Sequence, residues 1–441
     1  KELAGSGVYQ AGQLTVRQLD FDLDGLRARV AAEVDDVMGS PSGKLTVTAS
    51  DVHVNDFRRY WPPSIAPGAG KWCTQHLHDG IVPHAEAEIS FTSEGDEIRA
   101  TALAARFDVE RLTVAYLPPM PVVRNAAGTV TADLNSLRID IDAGNAAGLT
   151  VGDGFVLISD FDKKDQQIDI DLVIAGPVRS AMTIIAAQPL DYDSKIGIDP
   201  DQTSGDVTTR LMMRFPLVDD LDADQLQIDA DVELHNLGIS HAISGIGIDI
   251  TNGDARLRID NRGLRAAGRL AIAGIEGELR ASDSFVDDAE PRTMATFSFA
   301  DAPVERIRRA LRGVADLRPY LREGGLSGRV TFDQSQAGVG VLAATMDLAH
   351  ASLAIPPIGW SKPAGTAGTW EASLRLEKGR PTAVPQFELL APGLDFAASC
   401  RFGPGGGLDS VEVARLNAGR TNLTGTLAAR TGGGWDAAVG G

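Results

Sequence analysis

The stretch Gln225-Leu-Gln-Ile-Asp-Ala-Asp-Val-Glu-Leu234 constrains the fold more than any other part of the chain. Leu226, Ile228, Ala230, Val232 and Leu234 alternate with Gln225, Gln227, Asp229, Asp231 and Glu233. Only a backbone whose successive Cβ atoms point to opposite sides sorts such a sequence, so this is a strand with one dry face and one wet face. Asn252-Gly253 reads as a turn, Arg256-Leu-Arg-Ile-Asp260 resumes the alternation, and Asn261-Arg-Gly263 turns the chain into Leu264 to Ile275. The segment from Asp222 to Ser282 is therefore an antiparallel meander with an apolar side. Leu137-Arg-Ile-Asp-Ile-Asp142 and Gln167-Ile-Asp-Ile-Asp-Leu-Val-Ile174 carry the same signal.

Composition extends this reading to the whole chain. Forty-eight glycines, 22 prolines and 5% aromatics in 441 residues suit many short strands joined by tight turns, an all-β protein. At one strand and turn per 10 to 14 residues, the chain supplies on the order of 30 strands, too many for one sandwich. A net charge of -19 excludes a nucleic-acid partner, because phosphate backbones are bound through clustered Lys and Arg. Cys73 and Cys400 form no CxxC pair and read as two buried thiols. No run of 18 apolar residues is present to span a membrane, and the chain starts at Lys1 and stops after a short Trp435 strand, as a piece of a longer protein would.

Three segments follow from the order of signals. Residues 1–200 are strands with a helical insertion at about 56–80, residues 201–300 hold the central meander, and residues 301–441 begin with a helix and continue as strands. In the insertion, Pro67 suits a first helical turn and Gly80 a stop, and Trp61 and Trp72 are expected to cover an end or edge of the sheet. Gly144, Gly148, Gly152 and Gly154 read as tight turns, and Val178 to Ala187 as a short helix. Asp301 reads as the N-cap of a helix from Pro303 to Arg312 with Val304, Ile307 and Leu311 as its apolar stripe.

Candidate chemistry is sparse. His76, His78 and His84 lie close in sequence, but two histidines two apart on a helix point in different directions, so surface histidines are expected rather than metal ligands. Asp219-Asp-Leu-Asp-Ala-Asp224 lacks the turn glycine and distal glutamate of an EF-hand and reads as a solvated acidic turn. Neither a nucleophile elbow nor a dinucleotide fingerprint is present. Arg306, Arg308, Arg309 and Arg312 make one helix basic, a solvated face or a contact for a lipid phosphate. The expectation is a protein that is not an enzyme and needs no metal or organic cofactor.

Tyr60-Trp-Pro-Pro63, Pro67-Gly-Ala-Gly-Lys-Trp72, His76-Leu-His-Asp-Gly80 and Ile355-Pro-Pro-Ile-Gly-Trp-Ser-Lys-Pro-Ala-Gly365 together resemble the conserved segments of the AsmA-like envelope proteins of the YhdP type. Gly176-Pro177, Phe215-Pro-Leu217, Gly263-Leu264 and Gly393-Leu394 fall where that family repeats short turn signatures. The resemblance implies an elongated, highly curved antiparallel sheet whose inner face is an apolar groove, with short helical insertions. It also implies a bridge-like lipid transporter in the periplasm, moving phospholipid between the inner and outer membranes and anchored in the inner one by an N-terminal helix. Alternation alone leaves two architectures open, a row of β-sandwiches serving a structural or adhesive role and a curled groove, and the resemblance favours the groove. The residues then expected to line it and hold phospholipid acyl chains are Leu137, Ile139, Ile141, Ile168, Ile170, Leu172, Leu226, Ile228, Val232, Leu234, Leu257, Ile259, Leu270 and Ile272.

Overall fold

A computed structural model describes residues 2–23, 26–60, 67–95, 97–116, 119–187, 198–218, 221–243, 248–286, 289–312, 316–403, 405–430 and 434–441. The chain divides into two units, Lys1–Pro200 with Asp206–Asp231, and Asp201–Gly205 with Val232–Gly441. Both are antiparallel β-sheet, and the described residues form 27 strands in all.

In unit 1 the strands are β1 (Glu2–Gln10), β2 (Gln13–Leu23), β3 (Leu26–Asp35), β4 (Ser42–His53), β5 (Leu77–His78), β6 (Ile81–Glu94), β7 (Glu97–Val114), β8 (Val123–Ala132), β9 (Ser136–Ala146), β10 (Leu149–Ser159), β11 (Gln167–Pro177) and most of β12 (Thr203–Pro216). Each pairs antiparallel with the next, except that β4 pairs with β6 and the short β5 pairs with the end of β7. The unit division cuts β13 (Gln227–Ile243). Unit 2 continues with β14 (Ile248–Asp260), β15 (Gly263–Ile272), β16 (Ile275–Ser284), β17 (Thr293–Pro303), β18 (Leu321–Gln334), β19 (Val339–Asp347), β20 (Ala351–Ile355), β21 (Trp360–Lys362), β22 (Thr369–Glu377), β23 (Arg380–Ala391), β24 (Leu394–Phe402), β25 (Leu408–Ala418), β26 (Thr421–Ala429) and β27 (Trp435–Gly440). Here β19 pairs with β22, while β20 and β21 form a flap held by the start of β18. Neither sheet closes on itself: among the described residues β1 pairs only with β2, and β27 only with β26.

Two-residue turns explain several hairpins. Ala11-Gly12, Ala147-Gly148, Ala273-Gly274 and Lys378-Gly379 all have positive φ at both positions, the backbone that matches the right-handed twist of the flanking strands. Two sequence signals of the same kind have another outcome. Asn252 (φ 52°) and Gly253 lie inside β14, where they form a bulge opposite β15 instead of a turn. Asp301 (φ 50°) likewise bulges β17, and the helix after it is preceded by Pro303, with no side-chain cap. Of the four glycines read as turns only Gly148 is in one; Gly144 is in β9, and Gly152 and Gly154 are in β10. There Asp153 (φ 47°) forms a bulge, and a Cβ at Gly154 would collide with the Asp171 carbonyl. An Asn or Asp that tolerates positive φ marks a bulge as readily as a turn, and a bulge bends the strand.

Four short α-helices are described: α1 (Phe57–Tyr60), α2 (Pro67–His76), α3 (Val178–Ala186) and α4 (Val304–Ala310). All of them occur at one end of the strands. In unit 1, β4 leads into α1 and α2 and β11 leads into α3; in unit 2, β17 leads into α4, and the β20–β21 flap follows β19 at the corresponding end. The opposite ends are joined by short turns. We refer to these two sides of each sheet as the insertion rim and the turn rim.

Candidate functional site

Register shows what the alternation builds. Paired residues in an antiparallel ladder share a face. In unit 1 the partners run Leu3, Phe21, Ala28, Ala49, Ala85, Phe107, Val130, Ile139, Val156, Ile170 and Met213 across β1, β2, β3, β4, β6, β7, β8, β9, β10, β11 and β12. Every member is apolar. Two residues along, a parallel row passes through Leu19, Val30, Val47, Ala87, Ala105, Ala132, Leu137, Ile158, Ile168 and Phe215 on β2 to β12, again without a polar side chain. Unit 2 has its own row, Ala255, Gly268, Leu279, Phe297, Val330, Ala344, Ala372, Phe387, Ala398, Val413, Gly425 and Val439, from β14 to β27. Beside it Trp370, Phe387 and Phe396 make an aromatic chain with ring centroids 5.9 and 5.7 Å apart.

The other face is charged. The row one residue away in unit 1 reads Asp20, Arg29, Thr48, Glu86, Arg106, Thr131, Arg138, Leu157, Asp169 and Arg214. Opposite charges pair across and along strands: Arg29 with Asp20 at 2.8 Å, Arg138 with Asp140 at 2.7 Å, Arg210 with Asp171 at 2.7 Å and Arg214 with Asp169 at 3.4 Å. Arg29 beside Asp20 holds that carboxyl below the usual range. Arg138 also lies over the Phe155 ring, 3.9 Å from its centroid.

The predicted groove residues divide according to this geometry. Leu137, Ile139 and Ile141 on β9 and Ile168, Ile170 and Leu172 on β11 share the apolar face of unit 1, with Val156 and Ile158 of β10 between them. Leu257, Ile259, Leu270 and Ile272 share the apolar face of β14 and β15 in unit 2. Leu226 immediately precedes β13; Ile228 is in the part of β13 that belongs to unit 1, and Val232 and Leu234 are in the part that belongs to unit 2. All are partly buried apart from Leu270, which is 4% exposed. Leu270 is core: it belongs to the cluster around α4 with Ile275, Phe299, Val304, Leu321 and Leu348. The expected groove residues include none on the in-between strand β10 or on the small-residue strands β3, β4, β6 and β8, whose Ala and Val positions are too weakly apolar to stand out alone.

Partial burial is the decisive property of this face. A second sheet packed on it would bring its large residues to core levels of exposure. The members of the two unit 1 rows are instead partly buried, apart from Leu3, which is exposed on the first strand, and Val130, which reaches 6%.

The remaining candidates have structural partners. His76 Nδ1 is 2.8 Å from the Ala115 carbonyl and its ring stacks on Trp72, whereas His84 lies 3.9 Å from Glu86. Trp72, expected with Trp61 to cover an end or edge of the sheet, is 43% exposed; Trp61 lies outside the described residues. Cys73 and Cys400 are free thiols, partly buried rather than fully buried as expected, and burial pushes the Cys73 thiol up. Asp219 and Asp220 lie outside the described residues, and Gln225 accepts a hydrogen bond from the Asp222 backbone. Arg306 donates to the Gly274 carbonyl and Arg308 to Glu305 and the Arg322 carbonyl, tying α4 to its surroundings. Lys362, unremarked beyond its Lys-Pro motif, is 3% exposed and donates to the carbonyls of Leu348 (2.7 Å), Ala351 (2.8 Å) and Pro363 (3.3 Å), fastening the flap.

No helix among the described residues is long and apolar enough to cross a membrane. A search of curated proteins and a search of solved structures each return no match. One family model, YhdP protein, matches residues 4–286, from β1 to the end of β16. That stretch is more than half of the 441 residues and takes in the apolar rows of unit 1, so the chain belongs to the YhdP protein family.

Proposed function

We propose that this chain is a section of a non-enzymatic lipid conduit, in which the apolar rows carry the acyl chains of phospholipids while headgroups stay in water. The observation that supports it most is an unbroken apolar row across eleven strands of unit 1, left only partly covered. Neighbouring strands are roughly 4.8 Å apart, so such a row offers a path along the sheet in which one lipid can follow another. Each CH₂ that leaves water for this surface gains about 0.8 kcal/mol, enough to hold a chain without any polar recognition site. Movement then needs no residue to let go of a headgroup. Family membership supports a place in the periplasm between the inner and outer membranes, which the protein would contact through parts outside this chain. A structural protein of stacked sandwiches is the second reading, and partial burial of the apolar face argues against it.

The test combines a photoreactive residue with purification. The protein should co-purify with phospholipid, and a photoreactive residue at position 170 should crosslink lipid in cells while one at 169, on the charged face, should not. Ile170→Asp should block passage and Asp169→Ala should leave it intact. A folded protein that carries no lipid and crosslinks at neither position overturns the conduit.

A further inference from the structure

The two rims of unit 1 differ in a way that gives the groove a direction. At the insertion rim Val54, which opens the turn before α1, and Val178, which opens α3, are 4% and 5% exposed. Val82, Leu112, Ala146 and Leu149, at the strand ends beside them, are also buried. Positive-φ bulges at Arg111, Asn125 and Asp153 stand a few residues inside the same rim of β7, β8 and β10, each beside a register shift that bends its strand. At the turn rim of unit 1 no α-helix is described, and large apolar side chains stand open: Met38 is 85% exposed, Ile98 70%, Leu217 48% and Phe161 37%, against 43% for Trp72 and 42% for Tyr116 at the insertion rim. Exposed apolar groups rimming an uncovered apolar face mark where an amphiphile meets the protein.

We infer, building on the conduit reading, that a phospholipid in unit 1 lies across the strands in one sense only, with its acyl ends toward the insertion rim and its headgroup past the turn rim. Among the buried strand ends around Val54, Val82, Leu149 and Val178 a phosphate would leave water without partners, which is prohibitive. The turn rim offers water to the headgroup, and Met38, Ile98, Leu134 and Phe161 contact the upper part of the chains there.

Two phosphatidylcholine probes, one with a diazirine on the headgroup and one with it at the end of an acyl chain, test this on the unaltered chain loaded from mixed vesicles. After irradiation, adducts are mapped by mass spectrometry. The headgroup probe should label peptides of the turns at 133–136 and 160–167 in excess over those at 144–151 and 175–184, and the acyl-end probe should invert that ratio. Labelling of the apolar rows by the acyl-end probe, with headgroup adducts equal at both rims or in excess at the insertion rim, overturns the orientation and leaves the conduit standing. No adducts from either probe overturn both.

Discussion

Val304 and Ile170 are both branched aliphatic residues on an apolar surface, yet one is completely buried and the other only partly. Val304 opens α4 and is 0% exposed within a cluster that includes Phe297, Phe299, Leu326, Met346 and Ala351. Ile170 sits in the middle of a strand, flanked in register by Val156 and Met213, and is partly buried. The sheet in each unit is continuous on either side of such positions; what differs is whether an insertion follows the strand. Burial in this protein is thus concentrated at the ends where α1, α3, α4 and the flap fold back, while the middle of the unit 1 face, where Val130 alone reaches core burial, rests on backbone ladders and cross-strand pairs. A face kept apolar without being covered costs stability in water and is retained where something else covers it in use.

The largest expected effect breaks this contrast directly. Val304→Asp puts an unpaired charge where no water reaches and should cost about 3–5 kcal/mol, enough to unfold unit 2. Ile170→Asp places the same group beside solvent and should change stability by about 1 kcal/mol while abolishing lipid passage. Denaturant unfolding of the two variants measures both. Equal losses would mean that the middle of the face is as enclosed as the cluster.

Next in size is Lys362. Lys362→Met removes the donor to three carbonyls inside the flap and should cost about 1–3 kcal/mol. Burial pushes the Lys362 ammonium below its ordinary value, with Asp347 opposing. Between the lowered folded value and 10.5 the unfolded chain therefore binds more protons, so stability rises with pH across that window. The wild type should gain on the methionine variant as pH climbs toward 10.5, read from paired melting curves; a constant gap would place the ammonium in solvent.

A smaller effect tests the bulges. Asn252→Val forces a β-branched residue into φ 52° and should cost roughly 1–2 kcal/mol, while Asn252→Gly should be neutral or better. If both are neutral, the bulge does not hold β14 in shape.

These positions also show what the sequence could and could not reveal. Ile168, Ile170, Leu172 and Ile174 were legible as one face because a period of two has a single structural meaning. Asn252-Gly253 and Asp301 were not, since positive φ serves a hairpin, a bulge or a helix entry equally, and the choice is made by the partner strand. The side on which Leu270 lies could be read from its neighbours, but its covering could not: α4, which helps bury it, starts 34 residues later, at Val304. Pro177-Val178 and Pro303-Val304, a proline closing a strand and a valine opening a helix, are a pair that only the structure brings out, at the insertion rim of each unit.

The smallest expected effect concerns the insertion between β4 and β6. A tryptophan is usually an anchor, because it buries more area than any other side chain, and Trp72 would then rank with Val304. Its ring, however, is 43% exposed and rests on His76 at a centroid distance of 5.1 Å, while His76 itself is tied to the Ala115 carbonyl at 2.8 Å. The contact that docks α2 onto the strand ends is therefore the histidine's, and the tryptophan shields it from water. Trp72→Ala should lower stability by no more than about 1 kcal/mol, and His76→Ala by more, since it frees the Ala115 carbonyl together with the ring stack. Thermal melts of the two variants rank them. A larger loss from Trp72→Ala would show that its ring has a further partner covering it, and the insertion rim at α2 would then be as fully enclosed as the rim at α4.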